Sequence, residues 1–277
     1  MAVSLWWSAL LIPVACLLLI PDPLIAALEW YEPRMVFRGP PATRRRGGRH
    51  KPLLALSIDD APYLGNKRKP RRKDESRLGA ILVLLQRHGA RATFMLMSHE
   101  DGQRWHGDAL ARALRQGHEL GNHGVVDERH AALGPAAFAR TLAQCDAVLA
   151  RLQPGFAERP RRWFRPGSGL WTRHMLAHVA ATGYTPVLAS VYPLLELPIP
   201  LLFRGWRVAG QATETVGVWL SAMFVLARAR PGGILILHDR WHTPRTLELI
   251  LPRLAKHYRI VTLSTLFEGK QSTEDYA

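Results

Sequence analysis

Cysteine, acidic residues and glycosylation sequons are scarce in this chain of 277 residues. The two cysteines, Cys16 and Cys145, lie in different predicted elements, so a scaffold held together by disulfides is not expected. No Asn-x-Ser/Thr sequence occurs, which removes one sign of secretion. Asp and Glu number 22 against 37 Lys and Arg, and the formal net charge of +15 favours anionic partners. A hydrophobic fraction of 48% is enough for a substantial core and argues against global disorder.

Charged side chains are also absent from residues 1–20, which are rich in Leu, Trp, Ile and Val. A helix of this length, rising about 1.5 Å per residue, spans roughly the 30 Å hydrocarbon core of a bilayer. We therefore predict an apolar N-terminal helix, with residues 1–28 as a single-pass membrane anchor. A cleaved signal segment ending at Ala27 is the alternative. Arginines after this segment favour the cytosolic side, although a single span leaves cytosolic and luminal orientations open.

The rest of the chain divides by composition. Residues 29–51 are rich in Pro, Gly and Arg and are interpreted as a basic linker, residues 52–269 as one catalytic domain, and residues 270–277 as a polar tail. Within the domain, apolar runs of strand type alternate with amphipathic helical segments. Strands separated by helices of ten or more residues predict right-handed crossovers and a parallel sheet. About seven such units indicate an α/β protein with a (β/α) barrel, whose chemistry collects after the strand C-termini.

Chemically suggestive side chains follow several of these strands. Asp59 and Asp60 end the first strand, where adjacent residues are expected to point to opposite sides, so that one binds a metal and the other faces the attacking water. His123 and Asp127 are four residues apart and would meet on one face of a helical turn. With Asp60 they form a His/carboxylate triad suited to Zn²⁺ and also to Fe, Co or Mn. A bound metal would lower the pKa of its water and polarise a scissile carbonyl.

Two further motifs complete the constellation. His238 ends a later apolar run and could protonate a leaving group. Arg165 follows a short strand and could keep the base carboxylate charged. Each motif alone has an ordinary alternative: a turn, a helix cap or a surface salt bridge. Their order along one chain favours hydrolase chemistry.

The ordered motifs resemble the polysaccharide deacetylase family, also called the NodB-homology family or carbohydrate esterase family 4. Its Thr-Phe-Asp-Asp-Gly-Pro pattern is similar to Ser-Ile-Asp-Asp-Ala-Pro at residues 57–62. The matching segments that follow are Ala-Thr-Phe at 92–94, Gly-His-Glu-Leu-Gly-Asn-His at 117–123, Arg-Pro-Gly-Ser-Gly at 165–169 and Leu-Ile-Leu-His-Asp at 235–239. The resemblance implies a distorted (β/α) barrel that removes acetyl groups from sugars with a divalent metal, usually zinc. It also implies that Asp59 is the base, Asp60 and His123 are ligands, Arg165 supports the base and His238 is the acid.

Three departures from that pattern bear on function. Asp127 stands where the family has a second ligand histidine, which weakens the preference for zinc over manganese or iron, and His130 is the fallback ligand. Ser168 replaces a tyrosine, a change that is tolerable if its backbone N–H serves the oxyanion. Ser-Val-Tyr-Pro at residues 190–193 contains no acidic partner. These features resemble a little-characterised eukaryotic branch of the family, in which the substrate need not be a long polysaccharide.

Other features bear on partners. The run from Lys67 to Lys73 has six basic residues in seven and is either a solvated insertion or a guide for anionic substrates and membrane surfaces. Trp171 and Trp241 follow two of the motifs and could stack on a sugar, although packing is the commoner use of tryptophan. Nucleic acid is not an expected partner.

We therefore expect a membrane-associated, metal-dependent hydrolase that removes N-acetyl groups from an amino sugar, polysaccharide or glycoconjugate. The first alternative is hydrolysis of another non-peptide C–N bond, in a cyclic imide or ureide. The second is an inactive membrane-tethered module that binds anionic glycans or lipids.

Overall fold

The computed structural model describes residues 21–40, 51–63, 76–193 and 210–268. Several predictions therefore fall outside the described residues: the apolar segment at 1–20, the basic run from Lys67 to Lys73, and the polar tail. No helix in the described ranges is long and apolar enough to cross a membrane.

Seven strands and eight α-helices alternate along this part of the chain. The strands are β1 (Leu53–Ala61), β2 (Thr93–Leu96), β3 (Glu119–Asn122), β4 (Arg162–Phe164), β5 (Tyr184–Pro186), β6 (Ile234–His238) and β7 (Arg259–Val261). The helices are α1 (Pro21–Tyr31), α2 (Leu78–Arg87), α3 (Glu100–Arg115), α4 (Pro135–Leu152), α5 (Arg173–Ala181), α6 (Gly210–Arg228), α7 (Thr243–His257) and α8 (Leu263–Glu268). Every strand predicted from an apolar run is present.

All strand pairs are parallel, in the order β5-β4-β3-β2-β1-β6. β7 pairs with the first three residues of β1, ahead of the part of β1 that pairs with β2. The segment after β5 pairs with β6 at an isolated parallel bridge between Val191 and Leu235. The predicted parallel α/β fold of about seven strands is confirmed as a curled sheet, and among the described residues the segment after β5 meets β6 at this bridge.

The alternation of side chains along β1 sets up the site. Leu54, Leu56 and Ile58 pack into the large cluster formed with the surrounding helices. Ala55 belongs to a second cluster, built with side chains from β2, β4, β6 and β7. Because successive residues of a strand point to opposite faces, Asp59 falls on the face of Ala55. The interior of the curled sheet is therefore apolar along the strands and becomes charged at their C-terminal end.

The segment before β1 is packed onto the same body. Ile25 of α1 lies in a small buried cluster with Met35, Phe37 and two residues of the α5–β5 region. Val36 forms a parallel bridge with Val187 just beyond β5. Residues 32–40, which composition assigns to the linker, therefore run along the edge of the sheet rather than away from it.

Candidate active site

The first carboxylate, Asp59, is held by a buried arginine. Arg165 follows β4, and its Nη1 donates to Asp59 Oδ1 at 2.5 Å and to Ser57 Oγ at 2.8 Å. Its Nε and Nη2 donate to the carbonyls of Val187 and Leu188, both at 3.1 Å. The Arg165 side chain is 1% exposed and that of Asp59 is 3% exposed. An arginine with this many fixed acceptors orients Asp59 rigidly, and it leaves Oδ2 as the oxygen turned to the rest of the site.

The second carboxylate does not point away from the first. Asp60 has a positive φ of 59° at an irregularity in the β1–β2 pairing. His123 Nε2 lies 3.2 Å from Asp60 Oδ1 and 3.9 Å from Asp59 Oδ2, so both carboxylates face one imidazole. The expectation that adjacent strand residues diverge is wrong here, because the left-handed backbone at Asp60 turns its side chain back.

His123 is oriented through its other ring nitrogen. Its Nδ1 lies 2.8 Å from the carbonyl oxygen of Arg165, which can only accept, so Nδ1 carries a proton and Nε2 faces the carboxylates. The side chain of Asn122, at the end of β3, accepts from Gly124 N–H and donates to the Leu142 carbonyl. This buried amide shapes the turn that presents His123.

The ionisation of this pair follows from its partners. Burial opposes the charged form of Asp60, but the hydrogen bond and charge of His123, with His238 and Arg240 nearby, hold the pKa of Asp60 well below its usual range. Burial likewise favours neutral His123, yet Asp59 and Asp60 together raise its pKa. These partners favour a proton on Nε2 when no metal is bound, and a cation that binds Nε2 must displace it.

Asp60 and His123 fit a divalent metal. Ligand distances of about 2.0–2.2 Å at right or tetrahedral angles separate two ligand atoms by roughly 3.0–3.5 Å, and the observed separation is 3.2 Å. The third predicted ligand, Asp127, is 55% exposed and does not join them. In the described ranges, no group of three His, Cys, Asp or Glu side chains converges as a metal site.

An arginine that sequence reasoning missed lies between the carboxylates. Arg240 Nη2 is 2.5 Å from Asp60 Oδ2 and 3.5 Å from Asp127 Oδ2. The only signal in the sequence was its position, two residues after His238. Tyr63, also missed, stacks beneath it with the guanidinium carbon 3.6 Å from the ring centroid.

His238 is the last residue of β6 and Asp239 follows it, and their side chains have different partners. His238 is the register partner of Asp59 on the neighbouring strand, and its charge helps to keep Asp60 ionised. The Asp239 carboxylate accepts from the Tyr63 and Arg77 backbone N–H groups and from the Ser76 hydroxyl, at 2.6–2.9 Å. Burial raises the pKa of Asp239. Asp239 thus binds the residues on either side of positions 64–75, which lie outside the described ranges.

The remaining candidates are placed as follows. His130 is fully buried, its Nδ1 accepts from Gly167 N–H at 2.9 Å, and its ring stacks on Phe164. Burial, with a smaller contribution from His123, lowers the pKa of His130 to about 4. This position favours packing over metal binding.

Ser168 is exposed in a tight turn with φ of 60°. Trp171 packs edge-on against Phe37 at the N-terminal cluster, and Trp241 contacts His242 in the same manner. Contact of these three residues with a substrate stays a prediction.

Comparison with known proteins agrees with this geometry. The family model for polysaccharide deacetylase matches residues 46–187, just over half of the chain. The chain belongs to the polysaccharide deacetylase family. Among curated deacetylases of this family, the chitooligosaccharide deacetylase of Sinorhizobium fredii is 27% identical over 194 residues, which cover 70% of this chain and 75% of the relative. That of Rhizobium leguminosarum bv. trifolii is 27% identical over 161 residues, covering 58% and 64%.

Solved structures show the same deacetylase fold. A peptidoglycan N-acetylglucosamine deacetylase superposes with a TM-score of 0.63 at 21% identity, covering 87% of this chain and 96% of its own. A CE4 family pseudoenzyme from Bacillus anthracis superposes with a TM-score of 0.59 at 18% identity, covering 84% and 68%. At this identity the likeness concerns the fold alone.

Proposed function

We propose that this chain is a hydrolase that removes N-acetyl groups from an amino sugar, polysaccharide or glycoconjugate. The observation that carries the proposal is the division of labour at the end of β1: Asp59 is fixed by Arg165, while Asp60 is paired with His123. Membership of the family, and curated relatives named as chitooligosaccharide deacetylases, support the choice of substrate class.

Asp60 and His123 would hold a divalent metal, Zn or else Mn, Fe or Co, with Asp127 as the third ligand. Such a metal supplies a Lewis acid that polarises the acetyl carbonyl and lowers the pKa of its water. The residues of the chain do the rest. Asp59 receives the proton of the attacking water on Oδ2, because Oδ1 is engaged by Arg165. His238 delivers a proton to the departing amine from the adjacent strand.

The test is acetate release from purified full-length protein in the presence of Co²⁺, with chitin oligosaccharides, peptidoglycan fragments and N-acetylated glycolipids as substrates. Asp59→Asn is expected to lower release by about 10²–10⁴-fold, the usual contribution of a general base. Asp146→Asn is the matched control, because Asp146 also pairs with an arginine of β4 but is 39% exposed at that pair.

Two outcomes would contradict the proposal. Hydrolysis of a cyclic imide without acetate release would favour the alternative C–N hydrolase. Binding of anionic glycans or vesicles without turnover of any substrate would favour an inactive tethered module.

We also propose that the enzyme associates with a membrane through residues 1–20. Exposed large apolar side chains support this: Leu24, Trp30 and Tyr31 lie on α1, directly after that segment. Val216, Trp219 and Met223 lie on α6, which is joined to α1 by the Arg228–Asp22 ion pair. Deletion of residues 1–20 is expected to shift the protein from the membrane fraction to the supernatant. An unchanged distribution would contradict the anchor.

A further inference from the structure

Arg240 occupies the position between the two carboxylates assigned to the metal. Its Nη2 contacts Asp60 Oδ2 at 2.5 Å and Asp127 Oδ2 at 3.5 Å. The Tyr63 ring supports the guanidinium from below. One internal cation therefore joins the carboxylates that a divalent ion would otherwise draw together.

A guanidinium and a divalent ion cannot both use this position. A metal on Asp60 and His123 would stand within a few ångströms of the Arg240 charge, and in a buried site that repulsion is poorly screened. Asp60 is 3% exposed, and a metal bound beside it would replace the positive charge that Arg240 supplies. Release of Asp127 from Arg240 would also free it to act as a ligand.

The contacts of Arg240 are those of a group that can leave. Its side chain is 21% exposed, and its partner Asp127 is 55% exposed, so their ion pair is weakened by water. Arg240 Nη1 is buried and has no hydrogen-bond partner in the described part of the chain. A half-satisfied guanidinium at the edge of the site can swing out through rotation of its long side chain.

We propose that Arg240 is an internal cation that competes with the divalent metal for Asp60 and Asp127 and so sets the metal affinity of this chain. This inference rests on the proposed function for the identity of the site. It makes Arg240 a positioning residue that acts through the metal ligands.

The test is titration of metal-free, full-length protein with Co²⁺, followed by calorimetry and by the visible spectrum of the bound ion. Arg240→Gln is expected to bind Co²⁺ at least about tenfold more tightly than wild type, because a competing charge is removed. Arg240→Lys keeps the charge without the planar fork and should fall between the two. Arg253→Gln removes one exposed arginine that donates to the backbone carbonyl of Leu249, and it should leave the affinity unchanged.

Two readouts separate competition from a simple charge effect. Without metal, Arg240→Gln should lower the melting temperature, since Asp60 loses a partner, and Co²⁺ should raise it more than it does in wild type. Adding Asp127→Asn to Arg240→Gln should remove part of the gain in affinity.

Equal or weaker Co²⁺ binding by both Arg240 variants would overturn the inference, as would a failure of every variant to bind. Acetate release by the same preparations is measured separately, so the proposed function can stand or fall without it.

Discussion

The adjacent carboxylates of β1 each pair with a different arginine, and the two arginines differ in their surroundings. Arg165 is buried, pairs with Asp59 and is bound to three further oxygens. Arg240 is partly exposed, pairs with Asp60 and leaves Nη1 without a partner in the described ranges. Both are arginine–aspartate ion pairs, but the Arg165–Asp59 pair is buried in the interior and the Arg240–Asp60 pair lies at the edge of the site.

The difference follows from where each arginine originates. Arg165 follows β4 and reaches across the interior to β1, so its acceptors belong to β1 and to the segment after β5. Arg240 lies in a loop, and its acceptors belong to one strand end and one exposed turn. Rigid orientation suits a general base, whereas an exchangeable contact suits a ligand that must admit a metal.

The largest expected loss of stability comes from breaking the buried Arg165–Asp59 pair. Arg165→Gln leaves Asp59 buried without its cation, and we expect a loss of about 3–5 kcal/mol in the free energy of unfolding. Urea denaturation measures this loss. Arg162→Gln, in the neighbouring strand β4, disrupts a partly exposed pair with Asp146 and should cost no more than about 1 kcal/mol. Similar losses of unfolding free energy in both variants would mean that the Arg165–Asp59 pair contributes no more than a surface ion pair.

A smaller loss of stability is expected from a substitution at the contact between the turn after Arg165 and the turn that carries Asp127. Gly167 follows the Arg165-Pro166 step, and a Cβ there would overlap the carbonyl oxygen of Glu128, next to Asp127. Gly167→Ala should therefore cost about 1–3 kcal/mol and shift the turn that carries Asp127. The control is Gly79→Ala, since Gly79 lies in α2 with open space around it and should gain stability. An unchanged stability of Gly167→Ala would show that this turn can shift to accommodate the added methyl group at no cost.

The smallest effect concerns a buried histidine that takes no part in either ion pair. Burial, and then Arg91, lower the pKa of His118 from 6.5 to about 4. The unfolded chain therefore binds more protons between these values, and stability should fall as the pH drops from 6.5 towards 4.

His118→Asn keeps an acceptor for the Ala92 N–H and should remove part of this loss, about 1–2 kcal/mol at pH 5. Thermal melts across that range measure it, with exposed His257→Asn as the control. If the loss of stability at low pH is unchanged in His118→Asn, it arises from the ionisable groups of the candidate active site instead.

The fold was largely predictable because it depends on local signals. Apolar runs such as those of β1 and β6 mark buried strands, and the helical spacing of Leu78 to Leu85 marks α2. The start of α3 at Glu100 has little local signal, because the polar stretch before Asp108 includes glycines at 102 and 107 that lower helix propensity.

The sequence pointed to residues that lie together, but not to their arrangement. Asp59, Asp60, His123 and Arg165 contact one another after the ends of parallel strands, and their catalytic roles stay a prediction. The turn at Asp60 depends on one left-handed residue, which no periodicity reveals. The position of Arg240 depends on three loops coming together around Tyr63, Asp127 and Asp60, and that is a tertiary property.

The most direct test of the central claim compares Asp59→Asn with Asp60→Asn in parallel Co²⁺ titrations and acetate-release assays. The account predicts that Asp59→Asn still binds Co²⁺ but loses acetate release, whereas Asp60→Asn loses Co²⁺ binding. Loss of Co²⁺ binding in both variants, or in neither, would contradict the division of the two carboxylates between base and ligand.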